Sequence, residues 1–260
     1  MAGSTVLVLG GGGFYGKYLV DDVLRFTDAQ VLLVSRRPMD HPSKRVVTAA
    51  CDRRNLSRLT QLAEQCEILV NFAGPFQDAP LEPIRAAWAA GAHYIDVAED
   101  RAMGRRVREL DEDVRRARIA AFNGLSVVPG MEALFANMLA PCFDRLTSFR
   151  GFAAPDTKRH RGKAMFWTMM YGVGREFVLP SGGRPRRARG WSEGEWVRFP
   201  PPLGDRLVYL VLEMADADLL PELFGVDTVE FKAGSEWPIL NRLLALASSI
   251  RAGLGGRPAW

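Results

Sequence analysis

The stretch VLVLGGGGFYGKYLV, residues 6–20, sets an uninterrupted apolar run directly against four glycines and then an amphipathic segment. Glycines lose the most freedom when ordered, so four in succession imply that the backbone itself is needed there. Gly11, Gly13 and Gly16 satisfy GxGxxG, and Gly10, Gly13 and Gly16 satisfy GxxGxxG. Either spacing, placed after a strand and at the start of a helix, lets main-chain amides touch a diphosphate at the positive helix end. The competing reading is a glycine-rich turn with no ligand.

Outward from that loop the first half of the chain alternates. Apolar, strand-like runs occur at 5–10, 30–37, 45–52, 67–74, 93–98 and 119–124. Helical spacing links Tyr15, Tyr18, Leu19, Val23 and Phe26. A second helix, capped by Asn55, has Leu56, Leu59, Leu62, Ala63 and Cys66 on one face. A third is expected over residues 80–90, with Pro80 in its first turn and Gly91 as its stop. Asp100 opens a fourth, with Met103, Val107, Leu110 and Val114 aligned. Charge-free strands alternating with helices predict an α/β, Rossmann-type doubly wound parallel sheet over residues 1–128.

Beyond residue 128 the rhythm changes. Helices are expected at 131–142, 164–172 and 236–252. Strands are expected at 147–154 and in the runs EFVLP, EWVRFP, RLVYLVLEM and DTVEFKAG. Residues 129–260 therefore read as a smaller α+β domain for substrate or dimer contacts, with its completeness at the C-terminal end left open.

The composition is that of an ordinary globular chain: 260 residues, 48% hydrophobic, 25% charged, net charge +4. The arginine-rich runs TKRHRGK (157–163) and RPRRAR (184–189) are expected to be solvated loops rather than a nucleic-acid surface. Cys51, Cys66 and Cys142 form no CxxC pair and the histidines show no zinc spacing, so no metal is expected and the thiols suit the cytoplasm. No apolar stretch reaches the roughly 20 residues of a membrane span, and the basic n-region of a signal peptide is missing.

The strand tips specify the ligand further. After the second strand, about 20 residues past the glycines, an NAD site carries an acid; here the residues are Ser35, Arg36 and Arg37. Guanidinium groups clamp a 2′-phosphate that a carboxylate would repel, so NADP(H) is the expected cofactor. Its binding residues are expected to be Gly10, Gly11, Gly12, Gly13, Phe14, Tyr15 and Gly16, with Ser35, Arg36 and Arg37. Asp52 and Asn55 are candidates for the adenine edge, and Asn71, Ala73 and Gly74 for the ribose and nicotinamide. Asp52 and Asn55 equally suit a helix cap, and the residues around Gly74 a turn. Tyr94 and Asp96, at the end of the fifth strand, are the weak catalytic candidates. No tyrosine has lysine four residues later and no GxSxG is present.

The loop GGGGFYGKYL, the run ILVNFAGPFQDAPLEPIRAAWAAGAHYIDVAED and the following SVVPG resemble the saccharopine dehydrogenase-like oxidoreductases. The resemblance is strong to residue 130 and looser afterwards. It implies an NADP-binding Rossmann domain, hydride transfer to a C=N, C=O or C=C bond of a small-molecule substrate, and a homodimer; a non-catalytic NADP-binding sensor or assembly protein is the alternative. Glu99 and Asp100 stand where the family commonly has Gly-Glu, and MEALF replaces small and polar residues after the proline-glycine pair. Relatives also continue past the point corresponding to Trp260.

Overall fold

A strand apolar on both faces has to be covered on both, and β1 (Thr5–Leu9) lies inside a six-stranded, wholly parallel sheet. The computed structural model of the chain describes residues 4–37, 39–155 and 162–254, which divide into two units at Ser126 and Val127. In the first unit β1 is followed by α1 (Phe14–Phe26), β2 (Gln30–Ser35), β3 (Val46–Ala50), α2 (Leu56–Ala63), β4 (Ile68–Asn71), α3 (Glu82–Ala90), β5 (His93–Asp96), α4 (Arg101–Arg108), α5 (Asp111–Arg116) and β6 (Ala121–Phe122). The strand order is β3-β2-β1-β4-β5-β6. This is the doubly wound order whose direction reverses between β1 and β4, the point outside which ligands sit in such sheets.

Side-chain alternation divides the core. Leu7, Leu9, Leu32, Leu69 and Tyr94 pack under α2, α3 and α4 through Leu59, Ile84 and Met103, whereas Val8, Val31 and Leu33 meet α1 at Val20. The register sets Leu9 beside both Val34 and Asn71, and Asn71 beside Asp96. One row across the sheet thus carries the strand ends from which the candidate loops leave.

Helix α3 begins at Glu82 with Pro83, not Pro80, in its first turn. Gly91 stops it as expected, with φ 71° in the left-handed region. The helix after Asp100 breaks near Leu110 into α4 and α5, although Met103, Leu110 and Val114 still share one core.

In the second unit α6 (Met131–Leu139) and a 3-10 turn (Ala140–Cys142) lead to β7 (Ser148–Ala153), α7 (Gly162–Gly172), β8 (Glu176–Ser181), β9 (Arg184–Arg189), β10 (Ser192–Phe199), β11 (Gly204–Leu210), α8 (Asp216–Phe224), β12 (Thr228–Ala233) and α9 (Pro238–Gly253). Strands β10-β11-β12-β7 form a mixed sheet and β8-β9 a separate ribbon. The run 184–189 is therefore a strand, not a solvated loop. Its Arg186 lies 2.5 Å from Glu193 and 3.0 Å from Glu230, so the charge is paired. The run 157–163 falls largely outside the described residues. Helix α8, with Pro221 inside it, has no counterpart in the sequence reading.

Glu132, in the first turn of α6, faces Asp216, the first residue of α8, and Asp216 is 1% exposed. A Cβ on Gly151 would lie 2.6 Å from Glu132 Oε1, so a side chain there would push that carboxyl aside. Burial, then the neighbouring Asp216, pushes Glu132 up to about 8; burial pushes Asp216 to about 6. The folded pair holds protons that an unfolded chain releases near pH 4–4.5. The stability they contribute is full below that range and is lost as pH rises through about 6 and then about 8. Glu132→Gln, which keeps the shape and removes the charge, is expected to flatten this decline and raise Tm at pH 8 by about 4 °C. Thermal melts from pH 5 to 8.5 check it; a wild-type Tm that climbs over this interval contradicts it.

Candidate functional site

The glycine turn is held by backbone alone. Gly10 N donates to Val34 O at 2.8 Å, tying the turn to the end of β2, and Gly13 N donates to Gly10 O at 2.8 Å. Gly10 has φ 81°, a conformation L side chains rarely adopt, and a Cβ there would lie 2.9 Å from Ala73 N. A Cβ on Gly16 would lie 2.5 Å from Gly10 O. Gly11 and Gly12 meet only side chains, of Leu33 and Val8 and of Met39, apart from a 3.2 Å approach of Gly11 to Val8 O. The spacing that the backbone requires is therefore Gly10, Gly13, Gly16. Gly13 caps α1 without a side-chain hydrogen bond, and no acid occupies the first turn. A helix start without a side-chain cap, and with no carboxylate in its first turn to compete, suits an anion. Phe14 and Tyr15 open the helix, their rings edge to face at 5.0 Å.

Two strand ends flank the turn. The Ser35 hydroxyl donates to the Arg37 carbonyl, folding the chain just past β2, and Arg36 and Arg37 are exposed there. Sequence reasoning missed Arg53. Its guanidinium donates to Ala73 O and, at 3.0 Å, to Pro75 O, joining the end of β3 to the end of β4. Burial foremost, then the like charges of Arg54 and Arg36, lowers its pKa. Arg36 and Arg53 thus share one positive edge beside the glycine turn. Asp52 Oδ1 accepts from Arg54 N at 2.8 Å, and Asn55 Oδ1 accepts from Arg58 N at 3.1 Å as the cap of α2. Both are engaged in the turn and cap roles that were the alternatives to adenine contact.

Beneath the β4 and β5 ends lies a buried polar network. Asn71 Oδ1 accepts from Ala73 N at 3.0 Å and its amide donates to Tyr94 Oη at 3.1 Å. Tyr94 donates to Asp96 Oδ2 at 2.9 Å. Asp96 also accepts from Ala98 N (3.0 Å), Gly124 N (2.9 Å) and both ways from Asn123 Nδ2 (2.8 and 2.9 Å). Tyr94 and Asp96 are 0% exposed, and burial, ahead of the Asp96 charge, raises the phenol pKa well above its ordinary value. These two catalytic candidates are brought together, but inside the sheet. His93 lies at the opposite, amino end of β5, where Nδ1 accepts from Ala120 N. Nearer the ligand edge, Gln77 Nε2 donates to Glu99 Oε1 at 3.0 Å, a link between the β4 and β5 loops that nothing in the sequence pattern flagged.

Residues 6–122 match the saccharopine dehydrogenase NADP binding domain family. Among solved structures, the apo saccharopine dehydrogenase (L-Glu forming) from Saccharomyces cerevisiae is similar at TM-score 0.65 and 15% identity, over 89% of this chain and 55% of that one. At that identity the likeness shows the fold, and this chain spans little more than half of the yeast protein's length. A short chain dehydrogenase from Burkholderia cenocepacia in complex with NADP is similar more weakly, at TM-score 0.38 and 17% identity over 54% of this chain and 85% of that one. No curated protein sequence matches the chain.

The cofactor of this domain family, NADP(H), suits the residues present: an uncapped, acid-free helix start beside a strand tip with two arginines. Gly16→Ala drives a methyl into backbone that cannot yield and is expected to cost about 2 kcal/mol or more and abolish NADPH binding. Gly12→Ala meets only the flexible Met39 side chain and is expected to keep most of both. Thermal melts and NADPH titrations of the two variants check the contrast. Tyr94→Phe is expected to lower stability by about 1 kcal/mol while leaving NADPH affinity within about twofold. Asp96→Ala strands several buried donors and is expected to cost about 3 kcal/mol or more in the same melts.

Proposed function

We propose that the chain is an NADP-dependent oxidoreductase of the cytoplasm, which transfers hydride to a C=N, C=O or C=C bond of a small-molecule substrate. One observation carries the reading: the open amide turn of Gly10–Gly16 is tied through Gly10 N and Val34 O to the strand end that bears Arg36 and Arg37. Amides and guanidinium groups on one edge suit a diphosphate and a further phosphate on the same ligand. Bound NADP(H) supplies the hydride from its nicotinamide ring.

The chain's own residues bind and orient. Gly10–Gly16 hold the diphosphate against the α1 N-terminus, and Ser35 fixes the turn from which the two arginines reach the 2′-phosphate. Asn71, hooked to Ala73 N and braced by Tyr94 and Asp96, holds the Ala73–Gly74 loop beneath the ribose and nicotinamide. In this reading Tyr94 and Asp96 position that loop and move no proton. Three unpaired cysteines accord with a reducing compartment. No described helix is long and apolar enough to cross a membrane.

A non-catalytic NADP-binding sensor is favoured over the enzyme by one feature, the complete burial of both acid-base candidates. Turnover separates the two readings. Purified protein is expected to bind NADPH at least about tenfold more tightly than NADH, by fluorescence titration. Arg36→Ala with Arg37→Ala is expected to weaken NADPH about 10–100-fold and leave NADH unchanged. Oxidation of NADPH with some member of a panel of imines, carbonyls and activated alkenes supports the enzyme. Equal affinity for both nucleotides removes the cofactor assignment, and tight NADPH binding without turnover across the panel leaves the sensor.

A further inference from the structure

Helix α9 sends Leu244 inward against Val173, Trp191 and Val211, but most of its large apolar side chains point the other way. Its inward residues include Asn241 and Ser248, both 0% exposed. Asn241 Nδ2 donates to Leu207 O and Ser235 O, each at 3.0 Å, and Ser248 Oγ donates to Gly190 O at 2.6 Å. The outward side carries Ile239, Leu243, Leu246 and Ile250, which are 55–73% exposed, and Leu254 continues the line. A helix normally turns its apolar stripe to the core; this one is anchored by hydrogen bonds and offers the stripe to something else.

The stripe itself says what covers it. Its steps are four, three and four residues, the near-3.5 spacing of a helix that pairs with another helix. They are also palindromic, Ile-Leu-Leu-Ile about a midpoint between residues 244 and 245. A two-fold axis through that midpoint sets Ile239 against Ile250, and Leu243 against Leu246, of an antiparallel second copy, which is the self-complementarity an isologous contact requires. Charge agrees. The helix contains no acid; Arg242 meets Ala247 of the second copy rather than its own counterpart, and Arg251 already donates to Val173 O at 2.7 Å. With Leu240 and Leu254 the exposed patch is on the order of 500 Å², near the upper limit for a monomer and approaching one side of a stable interface.

We propose that α9 is the contact surface of a two-fold homodimer, formed by antiparallel pairing of α9 with α9 of a second copy. Sedimentation velocity from low to high micromolar concentration is expected to show a dimer. Leu243→Glu and, separately, Leu246→Glu are expected to raise its dissociation constant at least about a hundredfold. Far-UV circular dichroism should stay unchanged, because both positions are exposed, and Tm should match that of the wild type at concentrations where both are monomeric. On a Cys142→Ser background, Leu243→Cys chains mixed with Leu246→Cys chains are expected to form an intermolecular disulfide faster than either alone. A monomer at every concentration overturns the proposal, as does a dimer indifferent to both glutamates or cross-linking without preference for the mixed pair. A monomer that sediments with phosphatidylcholine/phosphatidylglycerol vesicles and loses this with Leu243→Glu overturns it in favour of a lipid surface.

Discussion

Two loops leave adjacent strands at the reversal of the first sheet, and their backbones touch. Gly10 follows β1, Ala73 follows β4, and a single methyl on the first would lie 2.9 Å from the amide of the second. Everything proposed for the site descends from that approach. It requires the left-handed turn at Gly10, which brings Gly10 O under Gly16 and lets α1 start with its amides outward. It also sets Ala73 where Asn71 can hook its amide and Arg53 can clamp its carbonyl. A side chain at position 10 would therefore displace an anion site, a cation and a loop together.

The network under that contact explains how two polar strand ends stay inside a sheet. A buried carboxylate is tolerated where donors surround it. Asp96 has a phenol, a side-chain amide and two main-chain amides, contributed by β5, its following loop and the residues after β6. Through Tyr94 and Asn71 the same set of bonds reaches the end of β4. Three neighbouring loops are thereby held to one geometry. Tyr94 is already committed to Asn71 and Asp96, and burial holds its proton firmly.

How much of this could be read in advance depended on range. The glycine spacing, the charge-free strands and the caps at Asn55 and Asp100 are local signals, and each sits where the sequence placed it. The role of Asp96 was not local, because two of its partners, Asn123 and Gly124, lie 27 and 28 residues away. Alternation did put Tyr94 and Asp96 on one face, but it cannot say whether that face is open. The arginine run at 184–189 misled for the same reason: Glu230, which pairs Arg186, is 44 residues distant. Arg53 looked like one more charge in an arginine-rich chain, since a clamp on two carbonyls leaves no trace in composition. Helix α8 carries Pro221 inside it; helices admit proline where packing outweighs one lost bond, and Leu220 beside it is fully buried.

The orientation of α9 makes the limit of periodicity plain. Apolar spacing announces a helix but assumes that the apolar side faces inward, and here the packing surface forbids it. Where α9 lies against the rest of its unit, Leu244 packs on the cluster of Val173, Trp191 and Val211, and to either side the helix meets main chain: the carbonyls of Leu207 and Gly190 accept from Asn241 and Ser248. Gly190 itself is so crowded that a Cβ would come within 1.9 Å of Gly172 O. Short side chains with an N–H or O–H fit at those two carbonyls, where leucines would not. Asn241 and Ser248 therefore fix the rotation of the helix; Leu244 turns inward with them, and Ile239, Leu243, Leu246 and Ile250 follow to the outside. An outward stripe produced this way would be an aggregation hazard unless its pattern matched one particular surface, and a palindrome matches itself.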